Sequence, residues 1–445
     1  MKDKDFSRRR FIGGVASTAL TLSIVPRHVL GGAGYTPPSD KLNIACIGIG
    51  GKGRSDVVGV ASENIAALCD VDERRGADSF RRFPHVKRYK DFRVMLEREK
   101  NLDAVTVSTP DHTHAVAAMM AIKLGKHVFC QKPLAHSIYE VRALGQAARK
   151  HRVATQMGIQ GHSNDGLRKL REWIEAGVIG TVREVHYWTN RPIWPQGIER
   201  PLEQYHVPKY LDWDLWLGPA PERAYHPAYH PFKWRGWWDF GTGALGDIGC
   251  HAMDAAFWIL DLRNPTRVLA ETTPVNSETA PLTSRVTYHF PALPNRSEVK
   301  VVWRDGSLMP ARPEELEEGR ALPGGNSGQL FIGDKGKIAA DIYCRDPKLI
   351  PESRHQELLA NSPDEKYPRS PGVYKEWIRA CKDGEPAGAN FPDYASPLTE
   401  MVLLGNLAVR TGQIIEWDAS KGRVTNISRP NQYIRHSYRK GWNLS

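Results

Sequence analysis

A glycine-rich turn that follows a buried strand constrains the fold of this chain more than any other feature. Residues 41–47 predict the strand, and a helix is predicted over 54–61. The turn between them carries four glycines, Gly48, Gly50, Gly51 and Gly53. Glycine allows a tight turn, a close approach of the backbone to a pyrophosphate, and close packing of the helix on the strand. Because N–H groups at the start of such a helix bind phosphate oxygens, the pattern predicts a dinucleotide-binding fold.

A second strand, predicted over 64–69, ends at Asp70. A carboxylate at this place accepts hydrogen bonds from the ribose of the adenosine half, and it repels the 2′-phosphate of NADP. We therefore expect NAD as the cofactor. Three nearby arginines could hold that phosphate and keep NADP open as an alternative: Arg54, Arg74 and Arg75.

Strands and helices keep alternating after Asp70. Strands are predicted over 104–108, 127–130 and 153–158, and helices over 91–100, 114–124 and 138–151. This alternation is typical of an α/β fold with a doubly wound parallel sheet. Ligands bind at the carboxyl edge of such a sheet, where residues 109–114 and 131–133 lie. The first domain is expected to cover residues 41–160.

The second half, residues 161–445, changes to a series of strands. They are predicted over 182–189, 267–273, 284–290, 297–303, 329–332 and 337–342. Their alternation of apolar and polar residues predicts an α+β domain with a large open, mostly antiparallel sheet. Late helices over 372–382 and 398–414 are expected to pack beside this sheet. Residues 309–328 are predicted to be an exposed loop.

Eight of the thirteen tryptophans lie between Trp188 and Trp258. Aromatic faces stack on sugar rings and neighbouring polar side chains bind hydroxyls, so this segment is the candidate for carbohydrate contact. The candidate substrate residues are His226, Tyr229, His230, Trp234, Arg235 and Trp238, with Trp237 beside them. A proline follows both His226 and His230, which excludes the helical spacing of a zinc site, so we predict no metal.

The N-terminal segment has the pattern of an export signal. Ser7-Arg8-Arg9-Arg10-Phe11-Ile12 stands ahead of a weakly apolar stretch over 13–25. This predicts a twin-arginine signal peptide over 1–34, cleaved before Tyr35, and a periplasmic or otherwise exported protein. Because that route carries folded proteins, the cofactor is expected to be loaded before export and to stay tightly bound. The apolar stretch is about half as long as a membrane span, so no stable span is expected after cleavage, with an uncleaved anchor as the alternative.

Charge and cysteines exclude two other classes of protein. The formal net charge is +11, of which the predicted leader supplies six basic and two acidic residues. Basic residues elsewhere alternate with acidic ones and form no run, which argues against nucleic-acid binding. The six cysteines are spread along the chain, three of them in or at the end of apolar runs, so we predict buried thiols rather than disulfides.

Three further segments carry a resemblance to a known family. They are residues 110–114, Gln131-Lys132-Pro133, and Gly243-Ala244-Leu245-Gly246-Asp247-Ile248-Gly249-Cys250-His251-Ala252-Met253-Asp254. Together with the glycine turn, these segments resemble the glucose-fructose oxidoreductase, inositol dehydrogenase and MocA (Gfo/Idh/MocA) family of pyridine-nucleotide enzymes. The resemblance covers essentially the whole chain after the leader. The resemblance implies an NAD(P)-binding Rossmann domain, then a domain for substrate binding and oligomerisation. A homo-oligomer is expected.

The resemblance also implies which residues act. Catalysis is expected from Lys132, Asp247 and His251, and cofactor contacts from Thr109, Pro110, His114, Gln131 and Lys132. Oxidation of an alcohol needs a base for the hydroxyl proton and a donor for the developing alkoxide; His251 is expected as the base and Lys132 as the donor. Asp247 lies four residues before His251 at the opening of an apolar helix predicted over 248–260, and is expected to orient His251 or hold a neighbouring hydroxyl. The family usually has Glu-Lys-Pro where this chain has Gln131-Lys132-Pro133.

The sequence thus predicts an exported NAD(P)-dependent oxidoreductase that acts on a hydroxyl of a sugar or glycoside. A redox-neutral glycoside hydrolase, which oxidises, eliminates, adds water and reduces again, is an alternative that uses the same cofactor. A non-catalytic carbohydrate-binding protein that keeps the nucleotide fold is an alternative of another class. In each case the partner is a small carbohydrate.

Overall fold

Six parallel strands form the sheet of the first half in the computed structural model of this protein, which describes residues 37–444. They are β1 (Asn43–Ile47), β2 (Asn64–Cys69), β3 (Lys87–Tyr89), β4 (Ala104–Val107), β5 (His127–Cys130) and β6 (Thr155–Met157). They follow the order β3-β2-β1-β4-β5-β6, and every neighbouring pair is parallel. This is the strand order of a doubly wound dinucleotide-binding sheet, and it confirms the predicted fold class of the first half.

Five helices connect these strands. They are α1 (Lys52–Gly59), α2 (Glu73–Arg82), α3 (Phe92–Arg98), α4 (Asp111–Lys123) and α5 (Ile138–His151). The sequence pattern does not predict α2 or β3, because most of their side chains are polar. Asp72 was the available signal for α2, since its side chain accepts the N–H groups of Arg74 and Arg75 as a helix cap.

A nine-stranded sheet forms the centre of the second half. Its strands are β7 (Val182–Trp188), β8 (Arg267–Thr272), β9 (Ser284–Phe290), β10 (Val299–Arg304), β11 (Gly328–Gly333), β12 (Gly336–Asp341), β13 (Lys348–Ile350), β14 (Ile415–Asp418) and β15 (Arg423–Val424). The order is β13-β12-β11-β7-β10-β9-β8-β14-β15. Strands β7 and β10 are parallel, and the other neighbours in this sheet are antiparallel. The predicted open, mostly antiparallel sheet is confirmed.

The second half also contains seven α-helices within the described residues. They are α6 (Asp165–Glu175), α7 (Trp213–Leu217), α8 (Gly243–Ala252), α9 (Asp254–Ile259), α10 (Glu352–Ala360), α11 (Val373–Asp383) and α12 (Ser396–Thr411). Two helices take the place of the single helix predicted over 248–260. The first begins at Gly243, and Met253 separates it from the second. Asp247 and His251 lie inside α8 and not at the opening of a helix.

Helix α11 corrects a second expectation, because it packs on the parallel sheet of the first half and not beside the open sheet. Trp377 of α11 is 0 % exposed and contacts Phe129 of β5, with ring centroids 5.7 Å apart. Helix α12 contacts both α5 of the first half and β8 of the second. The two halves therefore share a continuous core, which fixes the cleft between them.

Leu42–Ser445 form one compact unit. Before it, the structure describes residues 37–41, with a short 3-10 turn over Pro38–Asp40. The predicted signal peptide over 1–34 and the cleavage point before Tyr35 lie outside the described residues. Within 37–444, no helix has the length and apolar character needed to cross a membrane. The six cysteines, all in that range, are free thiols, and five of them are buried.

Candidate active site

The glycine turn between β1 and α1 forms one end of a cleft of about 900 Å³. Gly48 has a positive φ of 74°, and a Cβ on Gly53 would lie 1.8 Å from the carbonyl oxygen of Gly48. Helix α1 begins at Lys52 without a side-chain cap, so within residues 37–444 no side chain occupies the N–H groups of its first turn. The close backbone and the uncapped helix start form a cradle that fits the pyrophosphate of NAD.

Asp70 supports the glycine turn. Its carboxylate accepts the N–H groups of Ile49 at 2.9 Å, Gly50 at 3.2 Å and Asp72 at 2.9 Å. Burial raises the pKa of Asp70, although these hydrogen bonds oppose the rise. The side chain also lines the cleft, and one of the roughly four acceptor positions of a carboxylate is left for a ribose hydroxyl.

Two of the three arginines that could hold a 2′-phosphate are engaged elsewhere. Arg54 pairs with Asp78 at 2.7 Å. Arg74 stacks on Tyr210, with its guanidinium carbon 4.3 Å from the ring centroid. Only Arg75 of the three lines the cleft. This arrangement agrees with NAD as the cofactor.

His114 joins two loops and does not line the cleft, which corrects the expected cofactor contact. Its Nδ1 and Nε2 lie 2.8 Å from the carbonyl oxygens of Pro133 and Thr109 respectively. The residue is 1 % exposed, and burial lowers its pKa to about 4. Thr109 and Pro110 do line the cleft. His114 therefore acts through the loops that it holds together.

Gln131, directly after β5, has a carboxylate partner that sequence reasoning missed. Its Nε2 donates to the two oxygens of Asp56 at 3.1 and 2.9 Å. Asp56 lies on α1, is 0 % exposed, and also accepts hydrogen bonds from Lys52, Ser108 and Tyr374 at 2.6, 2.6 and 2.7 Å. Gln131, Lys52 and Ser108 all line the cleft. One buried carboxylate thus fixes three side chains of the cofactor end.

Asp247 is the centre of charge at the other end of the cleft. Lys132 Nζ donates to Asp247 Oδ1 at 2.9 Å and to the backbone oxygen of Asp247 at 2.5 Å. Arg235 Nε donates to the same Oδ1 at 3.1 Å. Burial raises the pKa of Asp247, but the two cations outweigh burial and hold the pKa well below its usual range. The ionised carboxylate therefore fixes the position of the Lys132 ammonium group.

His251 lies one helical turn after Asp247, and its ring lines the cleft. Its Nδ1 is buried without a hydrogen-bond partner among the described residues, and the ring contacts Tyr343 with centroids 5.1 Å apart. Burial, and then the charge of Lys132, lower the pKa of His251 to about 3, so the imidazole is neutral. Asp247 was expected to orient His251 or to hold a neighbouring hydroxyl; among the described residues Asp247 makes no hydrogen bond to His251, and its Oδ1 accepts from Lys132 and Arg235 instead.

Three of the six predicted substrate residues line the cleft: His230, Trp234 and Arg235. Trp234 lies under the Arg235 guanidinium, whose carbon is 4.3 Å from the ring centroid. His230 Nε2 lies 2.6 Å from a carboxylate oxygen of Asp72, the residue that caps α2. His230 therefore ties the tryptophan-rich segment to the nucleotide-binding half.

The other three predicted substrate residues lie outside the cleft. Tyr229 and Trp238 are 2 % and 4 % exposed and pack in the core, as does Trp237. His226 packs against Tyr205, with ring centroids 4.8 Å apart. The structure does not bring these three side chains to the cleft, because each packs against neighbouring side chains instead.

The sequence did not single out several further cleft residues, although Asp111 lies in the segment 109–114 that was placed at the ligand-binding edge of the sheet. They are Asp111, Gln160, Asn164, Arg191, Trp194, Tyr343 and Arg345. Most of them follow the ends of β4, β6, β7 and β12 within a few residues. The sequence offered one signal for these residues, namely that they follow predicted strands, since the loops after strands often carry binding and catalytic residues.

Two family models match nearly the whole described chain. Residues 42–159 match the oxidoreductase family, NAD-binding Rossmann fold, and residues 167–444 match the oxidoreductase family, C-terminal alpha/beta domain. The chain belongs to the Gfo/Idh/MocA family. Its first half is an NAD-binding Rossmann domain.

Curated members of this family with similar sequence include two dehydrogenases. Levoglucosan dehydrogenase of Pseudarthrobacter phenanthrenivorans is 24% identical over 193 residues, which are 43% of this chain and 42% of that protein. Myo-inositol 2-dehydrogenase of Thermotoga maritima is 30% identical over 129 residues, 29% of this chain and 38% of that protein. The matched part thus spans about four-tenths of the length of these relatives.

Solved structures share the fold of this Gfo/Idh/MocA protein. The WlbA dehydrogenase from Bordetella pertussis in complex with NADH and UDP-GlcNAcA has a TM-score of 0.58 at 17% identity, covering 85% of this chain and 99% of that chain. Levoglucosan dehydrogenase in complex with NADH and levoglucosan has a TM-score of 0.56 at 18% identity, with coverage of 85% and 99%.

The contact between Gln131 and Asp56 leads to a prediction for the affinity of the protein for NAD when the usual Glu-Lys-Pro of the family is restored. Gln131→Glu places a second carboxylate against Asp56, so we expect NAD binding to weaken about tenfold or more, measured by calorimetric titration with NAD. The double variant Asp56→Asn, Gln131→Glu exchanges amide and carboxylate and is expected to recover most of the affinity. A single variant that binds NAD as tightly as the native protein, or a double variant no better than the single one, would contradict this explanation.

Proposed function

We propose that this protein oxidises a hydroxyl group of a sugar or polyol with NAD. The observation that carries the proposal is the Lys132 ammonium group, fixed by Asp247 beside His251, in the same cleft as the glycine cradle. NAD, when bound, accepts hydride from the carbon that bears the hydroxyl. The protein has to supply the remaining chemistry, namely binding the hydroxyl oxygen and removing its proton.

Lys132 and His251 divide that chemistry between them. The ammonium group of Lys132 donates a hydrogen bond to the hydroxyl oxygen and stabilises the negative charge that develops there. His251 accepts the hydroxyl proton, because its ring lines the cleft and its Nδ1 has no hydrogen-bond partner among the described residues. The nearby Asp247 carboxylate favours the imidazolium that forms, since opposite charges stabilise each other across a buried site.

Two observations support a polyhydroxylated substrate. The cleft wall combines the indole rings of Trp194 and Trp234 with polar side chains such as Gln160 and Asn164, a combination suited to sugar rings and their hydroxyls. The named substrates of the curated relatives, levoglucosan and myo-inositol, are also polyhydroxylated rings.

We further propose that the protein is exported by the twin-arginine route and keeps its NAD bound. The support is the Ser7-Arg8-Arg9-Arg10 pattern ahead of the short apolar stretch. Outside the cytoplasm a diffusing nicotinamide pool is absent, so the reduced cofactor has to be reoxidised in place, by a carbonyl compound that enters the same cleft.

Substitution of Lys132 tests the proposed chemistry. Lys132→Ala is expected to lower the rate of NADH formation in the first turnover by roughly 10²- to 10⁴-fold, because it removes the donor to the reacting oxygen. The assay follows the absorbance of NADH with levoglucosan, myo-inositol and D-glucose as trial substrates. Lys169→Ala, which removes an exposed lysine of α6, is the matched control and is expected to keep full activity. Undiminished turnover in Lys132→Ala would exclude the proposed site.

The retained cofactor gives a separate prediction. Protein purified from cells without added nucleotide is expected to release about one NAD or NADH per chain on denaturation, because a folded exported enzyme has to carry its cofactor with it. Chromatography of the released nucleotide measures this ratio. A preparation that is folded and active with added NAD, yet releases no nucleotide, would contradict retention while leaving the oxidation chemistry intact.

A further inference from the structure

Asp111 is a carboxyl group of the cleft wall to which the mechanism above gives no role. It is the first residue of α4, lines the cleft and is 4 % exposed. Its Oδ2 accepts a hydrogen bond from Thr242 Oγ1 at 2.7 Å. No other hydrogen bond to its side chain exists among the described residues, so Oδ1 has no protein donor.

This lack of donors sets Asp111 apart from other buried carboxylates of the chain. Asp56 accepts from four different side chains. Asp254 accepts from His162 and Tyr394, and Asp305 from Ser284 and Trp303. A buried carboxylate offers about four acceptor positions, and leaving them empty is costly. The missing donor at Asp111 therefore points to a ligand.

The surroundings of Asp111 place it in the same centre as the proposed catalytic groups. Burial raises the pKa of Asp111 to about 7, against the hydrogen bond from Thr242. The charges of Lys132, Asp247 and Arg235 also act on it. Thr242, the donor to Asp111, directly precedes α8, the helix that carries Asp247 and His251. A hydroxyl at Asp111 therefore lies in the part of the cleft where Lys132 meets Asp247.

We propose that Asp111 accepts a hydrogen bond from a hydroxyl of the substrate other than the one bound by Lys132. The inference rests on the proposed function, because it requires a substrate with several hydroxyls. Such a substrate supplies a donor to Asp111, whereas an alcohol with one hydroxyl leaves the buried carboxyl without one. Asp111 thereby selects sugars and polyols over simple alcohols.

A purely structural role for Asp111 has to be separated from this one. Thr242 directly precedes α8, the helix that carries Asp247. In the structural alternative, the hydrogen bond between Thr242 and Asp111 holds this helix in place, and Asp111 makes no contact with substrate. Asp111→Asn keeps an oxygen for Thr242 and replaces the free oxygen by an NH₂ group. Thr242→Val removes the fastening bond and leaves the carboxyl free. Asp165→Asn, in the first turn of α6 and exposed, controls for loss of a helix-end charge.

Calorimetric titration of the NADH-loaded protein with levoglucosan, myo-inositol and D-glucose tests the proposal. For the polyol that the native protein binds, Asp111→Asn is expected to weaken binding by roughly 10- to 100-fold. Thr242→Val and Asp165→Asn are expected to keep most of the affinity. A deoxy analogue of the same polyol that lacks the hydroxyl at Asp111 should bind the native protein about as weakly as Asp111→Asn binds the parent polyol. The Asp111→Asn variant should bind the analogue and the parent polyol with equal affinity.

The outcomes distinguish a failure of the role of Asp111 from a failure of the proposed oxidation of a sugar or polyol. If the native protein binds none of the three compounds, the proposed function falls, and the role of Asp111 with it. If the native protein binds one of them and Asp111→Asn binds it equally, only the role of Asp111 falls. Equal losses in Thr242→Val and Asp111→Asn would assign Asp111 a fastening role and also overturn the proposal.

Discussion

The ion pair between Lys132 and Asp247 holds the reactive end of the cleft together. Lys132 follows β5 in the Rossmann domain, Asp247 lies on α8 in the second half, and both side chains are 14% exposed. Removing Asp247 would leave the Lys132 ammonium group and the Arg235 guanidinium without their shared carboxylate, and such a loss in a shielded pair costs about 3–5 kcal/mol. The pair therefore fixes where an ammonium group stands relative to a cofactor held on the glycine turn.

Two other buried carboxylates repeat this arrangement. Asp56 of the Rossmann domain accepts from Tyr374 of α11 at 2.7 Å, and Asp72 lies 2.6 Å from His230 in the tryptophan-rich segment. Each of the three joins the two halves at a different point along the cleft. The cofactor end and the substrate end are thus positioned by charges that are too costly to leave unpaired. At position 131 a glutamate would place a second carboxylate against Asp56, whereas the glutamine donates to it.

The sequence predicted the features that depend on short segments. The glycine turn, the alternating strands and helices, and the loop at Gln131-Lys132-Pro133 are local patterns, and each indicates a particular structure. Contacts between distant segments left no such pattern, since nothing near Asp56 points to Gln131, and nothing near Asp72 points to His230. The roles of Tyr229 and Trp238 also depend on packing, because an aromatic side chain in a core and one in a binding site have the same local sequence. Helix α6 could have been found from the helical spacing of Leu167, Leu170 and Trp173.

Isotope transfer shows whether the group around Lys132 oxidises a carbon–hydrogen bond of a polyol next to NAD. The protein is incubated with NAD and with myo-inositol or levoglucosan that carries deuterium on its carbon atoms. The mass of the recovered nucleotide is then measured by mass spectrometry. We expect the reduced nucleotide to gain one deuterium with the native protein and to stay unlabelled with Lys132→Ala. Unlabelled nucleotide from the native protein with both compounds, or full labelling with Lys132→Ala, would contradict it.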